Sequence, residues 1–172
     1  MTEKDPATFI TTEAETPLDS LDDIRKAVTA LAREGKFGID IFSPDLEAEI
    51  YNNQAFEQAV FDLAKKHPST AVRILCKDSE KAVKQGHCLI RLAQDLTSTI
   101  TIHTPAADHR DEQSAFMLVD SRGVLYRLPA GGKYHHAILG LNSPQRAAGL
   151  AGFFNEAWEH SAPDPQIRRL YV

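Results

Sequence analysis

The side chains best suited to chemistry in this chain are histidines, arginines and two cysteines, and their spacing governs what each can do. His87 and Arg91 stand four residues apart in a stretch of helical periodicity, so both project from one face. Such a face, lining a cleft, could hold a phosphate or another anion through the guanidinium fork. The same two residues flank an apolar stripe, where their commoner role is to satisfy nearby backbone or carboxylate groups. His103 follows Ile100-Thr101-Ile102 and falls at the carboxyl end of an expected strand, where open α/β sheets bind ligands, or else it is a loop histidine. His135 and His136 are adjacent, beside Lys133 and Tyr134, but neighbours on a strand point to opposite faces and do not readily share one ion. The Cys and His spacings match none of the common zinc patterns, so neither a metal nor a cofactor is expected. Cys76 and Cys88 lack a CxxC arrangement and are expected as buried, reduced thiols. Arg73 and Arg127 fall on expected strands, where arginine needs a carboxylate or solvent, and Asp40, also on a strand, is a candidate partner.

These groups must be positioned by elements that the apolar pattern defines. Ser20 with Asp23 resembles a capping box, and Leu21, Ile24, Val28 and Leu31 recur at helical spacing until Gly35. A short strand is expected from Phe37 to Phe42, stopped by Ser43-Pro44-Asp45. Phe56, Ala59, Val60 and Leu63 define a second helix after an Asn pair, ending at His67-Pro68. Ala71 to Cys76 reads as a strand. One long helix capped at Asp78 or Ser79 is expected to run through Ala82, Val83, Gly86, Leu89, Ile90 and Ala93 to Leu96, before a strand from Thr99 to His103. Strand, helix, strand, helix, strand is the pattern of right-handed βαβ units, and it predicts a mixed, mainly parallel sheet flanked by helices. Thr104 to Glu112 reads as a surface loop, Tyr134 to Leu141 as a final strand, and Ser143-Pro144 as the start of a closing helix with Phe154 and Trp158 on its apolar face.

The chain is organised around Gln113 to Arg127, QSAFMLVDSRGVLYR. Its unbroken apolar run from Ala115 to Val119 suits a strand covered on both faces. Asp120 ends that run, and Gly123 supplies permissive backbone for a reversal into Val124-Leu125-Tyr126. Asp120 is expected to accept backbone donors of its own turn. This hairpin and its flanks resemble the core of one half of the phospholipase D superfamily, in which a strand carries His-x-Lys-x4-Asp and then turns back. With Asp120 laid on the motif's Asp, the His position falls on Gln113 and the Lys position on Ala115. The resemblance runs from about Phe37 to Trp158. It implies a phospholipase D-like α/β sandwich, without the imidazole that would attack a phosphodiester or the ammonium that would stabilise its oxygens. In active families a Gly-Ser-x-Asn segment follows the motif. Gly140-Leu141-Asn142-Ser143 is a partial echo at longer spacing, which adds Asn142 to the candidate ligand-binding set of Arg73, His87, Arg91 and His103.

At 172 residues, 42% hydrophobic and 25% charged, the chain suits one globular domain, expected over residues 18–172 after a disordered tail at 1–17. A net charge of −5 argues against global attraction to nucleic acid, and neither a membrane span nor a leader is apparent, so a cytoplasmic protein is expected. Arg168-Arg169-Leu170-Tyr171 reads as a partner hook or a solvated end. The resemblance also implies two halves packed about a two-fold axis, and hence a homodimer of this single half. The reading is a catalytically inactive phospholipase D-like module that binds a protein partner or a small anion. The alternative is a phosphoester hydrolase or transferase using His87, His103 or His136. Convergence of three or more of the five candidate residues in one cleft would favour ligand chemistry.

Overall fold

The computed structural model describes residues 15–128 and 136–167. In chain order its elements are β1 (Glu15–Leu18), α1 (Leu21–Glu34), β2 (Gly38–Ser43), α2 (Ala48–Tyr51), α3 (Gln54–Ala64), β3 (Ala71–Cys76), α4 (Glu80–Lys84) and α5 (Cys88–Asp95). They continue with β4 (Ile100–Thr104), α6 (Ala107–Arg110), β5 (Ala115–Val119), β6 (Gly123–Arg127), β7 (Ala137–Gly140), α7 (Pro144–Glu159) and β8 (Ala162–Pro163). The strands form one sheet in the order β1-β7-β6-β5-β2-β3-β4-β8.

The sheet is mixed, as expected, but mainly antiparallel. Among the described residues only β2–β3 and β3–β4 are parallel, the two pairs whose strands are joined by helical crossovers. The hairpin adds β5 antiparallel to β2 and β6 antiparallel to β5, and β7, β1 and β8 also join antiparallel. The expectation of a mainly parallel sheet came from counting crossovers and leaving out the strands joined by short connections.

Helices cover both faces. Ile39, Ile41, Val72, Ile74, Ile100 and Ile102 point into a cluster with α1, α3 and α5, whereas Phe116 and Leu118 join Phe42, Leu75 and Val124 under Phe154 and Ala157 of α7. All eight of Ile39, Ile41, Val72, Ile74, Ile100, Ile102, Phe116 and Leu118 are buried. Every residue of β5 is buried, because its alternate side chains enter the two clusters.

Three local expectations change. The long helix is two helices, since Gly86 takes a left-handed φ of +66° and His87 is the non-helical N-cap of α5. The surface loop after β4 contains the single turn α6. Residues 15–17, placed in the tail by composition, form β1 with Leu18 against β7, and Arg146 of α7 pins Glu15 through two hydrogen bonds of 2.8 and 3.1 Å. A polar strand is held there by an ion pair that joins positions 131 residues apart.

The hairpin reverses through Asp120 and Ser121, at φ 57° and 55°, and not through Gly123. Glycine at 123 answers a different need, because a Cβ there would stand 2.8 Å from Leu31 Cδ2 where α1 crosses β6.

Candidate functional site

The carboxyl ends of β2, β3 and β4 and the amino end of β5 meet along one border of the sheet, beside Gln113 and Ala115. Gln113 is exposed and its amide donates to the Asp111 carbonyl at 3.1 Å. Ala115 is buried and pairs across the ladder with Arg127 of β6. Directly opposed residues of an antiparallel pair share a face, so Arg127 places a cation beside the position where the motif's lysine would stand.

Arg127 is engaged within the chain. Its guanidinium donates to Glu47, and the two side chains are only 14% and 16% exposed. The other Glu47 oxygen accepts from the hydroxyl of buried Ser43 at 3.0 Å, and the same hydroxyl accepts the Leu46 amide at 3.0 Å. Burial pulls the guanidinium down to about 10, with nearby Asp45 acting the other way, so it stays charged at neutral pH. Around this pair, Lys77 donates to the Glu112 carbonyl and lies 5.6 Å from the centre of the Phe42 ring. Ser114 binds the Glu112 carboxylate through its amide and its hydroxyl, at 3.0 and 2.7 Å. The border therefore holds one charge pair, Arg127–Glu47, with Lys77 answered by a carbonyl and Glu112 by Ser114.

The five candidate residues do not converge. Arg73 on β3 makes a bidentate pair with Asp40 at 2.8 and 2.9 Å, donates to Asn155 at 2.8 Å, and lies over the rings of Phe154 and Trp158. His103 stacks on Trp158, with ring centres 4.0 Å apart, and its Nδ1 meets the Ser161 hydroxyl at 2.8 Å. These two share the α7 side, and burial lowers the His103 pKa. His87 and Arg91 lie with α5 on the opposite side of the sheet. His87 is 1% exposed, its Nδ1 accepts from the Leu89 amide at 3.1 Å, and its Nε2 donates to the Leu46 carbonyl at 2.9 Å. That pattern fixes a neutral ring, and burial lowers its pKa. Arg91 donates to Gly86 and pairs with Glu57 at 3.3 Å. Asn142 is exposed just before α7.

Asp120 serves a wider frame than its own turn. Its carboxylate accepts the amides of Lys36, Phe37 and Gly38 at 2.9, 2.7 and 3.0 Å, tying the hairpin to the start of β2. The expectation of bonds to the Ser121-Arg122-Gly123 amides is therefore corrected: the left-handed backbone at Asp120 turns the side chain toward β2. Beside it lies a cleft of about 720 Å³ lined by Leu31, Val119 and Arg122 and edged by Phe37 and Leu141, which are 72% and 61% exposed.

Sequence reasoning missed Glu47 and Ser43. The available signal was an acidic residue and a serine around Pro44, close after a strand expected to end at the ligand-binding border of an α/β sheet. Cys76 and Cys88 are free and buried, with thiols pushed up to about 12 and about 11 by burial. Among the described residues no three His, Cys, Asp or Glu side chains are grouped to hold a metal ion. Lys133, Tyr134, His135 and the Arg168-Arg169-Leu170-Tyr171 tail lie outside the described residues.

A family model described as a domain of unknown function, DUF7931, matches residues 20–170. The chain belongs to the DUF7931 family. No curated protein matches it. Among solved structures, this DUF7931 chain is similar to TrmBL2, an archaeal chromatin protein described with a novel mode of DNA binding, at a TM-score of 0.66 and 13% identity. That match covers 92% of this chain and 57% of TrmBL2. It is similar to Nuc from Salmonella typhimurium, a phospholipase D family member, at a TM-score of 0.62 and 13% identity over 87% of this chain and 97% of Nuc. It is also similar to NucT from Helicobacter pylori, at 0.59 and 7% identity over 87% and 99% of the two chains. The DUF7931 domain thus has a phospholipase D-like fold. Identities this low carry the fold and nothing of the chemistry.

Proposed function

We propose that this protein is a catalytically inactive phospholipase D-like module whose work is binding. The observation that carries the reading is what stands at the positions the resemblance gives to its nucleophile and its lysine, an exposed glutamine amide and a buried alanine. Gln113 and Ala115 supply neither nucleophile nor ammonium, and the nearby cation is already neutralised from within. Phosphodiester attack needs a nucleophile in reach and an uncommitted positive group at the non-bridging oxygens. The alternative, a phosphoester hydrolase or transferase using His87, His103 or His136, is weakened by His87, whose ring nitrogens are both engaged inside the core, and by the separation of His87 and His103 on opposite sides of the sheet.

The surface that favours a protein partner is the cleft edged by Phe37 and Leu141. Exposed large apolar residues flanking a concavity are common at interfaces, and a second copy of the chain is the occupant we assign. The β5 strand is covered on both faces and offers no such surface. Among the described residues no helix is long and apolar enough to cross a membrane, and two free thiols fit a reducing compartment, so we assign the protein to the cytoplasm. The test of the reading is hydrolysis of a generic phosphodiester by the purified chain, with His87→Ala and His103→Ala as controls.

A further inference from the structure

Glu47 is held in an unusual backbone. Leu46 and Glu47 take consecutive left-handed φ angles of 66° and 28°, and neither is glycine. Leu46 is fully buried, so no solvent-facing turn requires that conformation. Non-glycine residues persist at such angles only where the surroundings over-determine them. Here the surroundings are explicit: Ser43 Oγ accepts the Leu46 amide, Asp45 Oδ1 accepts the Glu47 amide at 2.9 Å, and His87 holds the Leu46 carbonyl. The outcome of all three is to place one carboxylate against Arg127.

Resting on the non-catalytic reading above, we propose that Arg127 and Ser43 form a carboxylate-binding site, that Glu47 fills it as an intramolecular stand-in, and that an external carboxylate opens it by replacing Glu47. The class of ligand follows from the present occupant. One carboxylate oxygen accepts from the serine hydroxyl and the other from the guanidinium, so the present occupant is a planar anion whose two oxygens are bound separately. A buried guanidinium also requires a counter-charge, so release of Glu47 is favourable only when another anion takes its place. In a binding module the external group would be an acidic side chain or a terminal carboxylate of a partner, or a small free acid.

The test is calorimetric titration of propionate, which reproduces the Glu47 side chain, into the full chain, Glu47→Ala and the double variant Glu47→Ala/Arg127→Met. Glu47→Ala is expected to bind propionate at least about tenfold tighter than the wild type, and more tightly than inorganic phosphate, with binding lost in the double variant. A folded Glu47→Ala that binds no better than wild type would overturn the proposal, as would binding that survives in the double variant. If Glu47→Ala fails to fold, recovery of structure by propionate but not by chloride supports the site, and absence of recovery overturns it. Titration of wild type with a short peptide bearing a single glutamate, amidated or free at its end, distinguishes a side chain from a terminal carboxylate. Phosphodiester turnover in these samples would sink the non-catalytic reading and leave the carboxylate result standing.

Discussion

Oδ1 of Asp120 lies 2.7 Å from the amide nitrogen of Phe37, joining the hairpin turn to the entrance of β2 across 83 residues of sequence. The same carboxylate takes the amides of Lys36 and Gly38, so one side chain answers three consecutive donors. Asp is one of the few residue types that enter the left-handed region readily, and at φ 57° this position uses that property as well as the charge.

Asp120→Ala removes the acceptor and places alanine at a left-handed angle. Water reaches Lys36 and Phe37 and replaces part of the loss. We expect a destabilisation of about 2–4 kcal/mol for Asp120→Ala and about half that for Asp120→Asn, which keeps one acceptor and tolerates the backbone. Urea unfolding of the three proteins checks this, and equal losses for both variants would contradict the geometric account.

His87 is neutral in the folded chain because Nδ1 must be free of a proton to accept from Leu89, and burial lowers its pKa. The unfolded chain then binds more protons below the ordinary histidine value of about 6.5. Stability should be fully present above that pH and fall as the pH drops below it. His103 is shifted in the same direction, so the two must be separated by variants. His87→Gln should cost about 1–3 kcal/mol at neutral pH and flatten the acid limb of the stability curve more than His103→Gln does. Unfolding measured from about pH 7.5 to about pH 5 tests it.

Phe37 and Leu141 lead to a third expectation. If a second copy covers their cleft, light scattering coupled to size exclusion should give about twice 19.0 kDa at micromolar concentration. Phe37→Asp with Leu141→Asp should return it to one chain mass. A wild type at 19.0 kDa throughout would reject the dimer.

Much of the fold was legible because it rests on local patterns. Ile39 and Ile41 of β2, Val72 and Ile74 of β3 and Ile100 and Ile102 of β4 each flank one polar residue, the run from Ala115 to Val119 announced a strand covered on both sides, and Arg73 found the carboxylate of Asp40 that a strand arginine needs. What was not legible depends on tertiary placement. Strand order decides whether a sheet is parallel, and β1 was hidden because Glu15 is ordered by Arg146 from the far end of the chain. Gly86 lay in phase with an apolar stripe, and the pattern could not tell a tolerated glycine from one with a left-handed φ. The site was harder still. The pattern left His87 and Arg91 between an anion site and the commoner service to nearby backbone and carboxylate groups; the second is what they do, and Glu47 reaches Arg127 from a loop whose backbone no propensity favours.

The most direct test of the central claim is a phosphodiesterase assay on the full chain purified to homogeneity, using bis(p-nitrophenyl) phosphate, single-stranded DNA and phosphatidylcholine vesicles. The account predicts no turnover above the buffer rate with any of them, and no change on His87→Ala or His103→Ala. Turnover that persists through further purification and disappears in either histidine variant would contradict it.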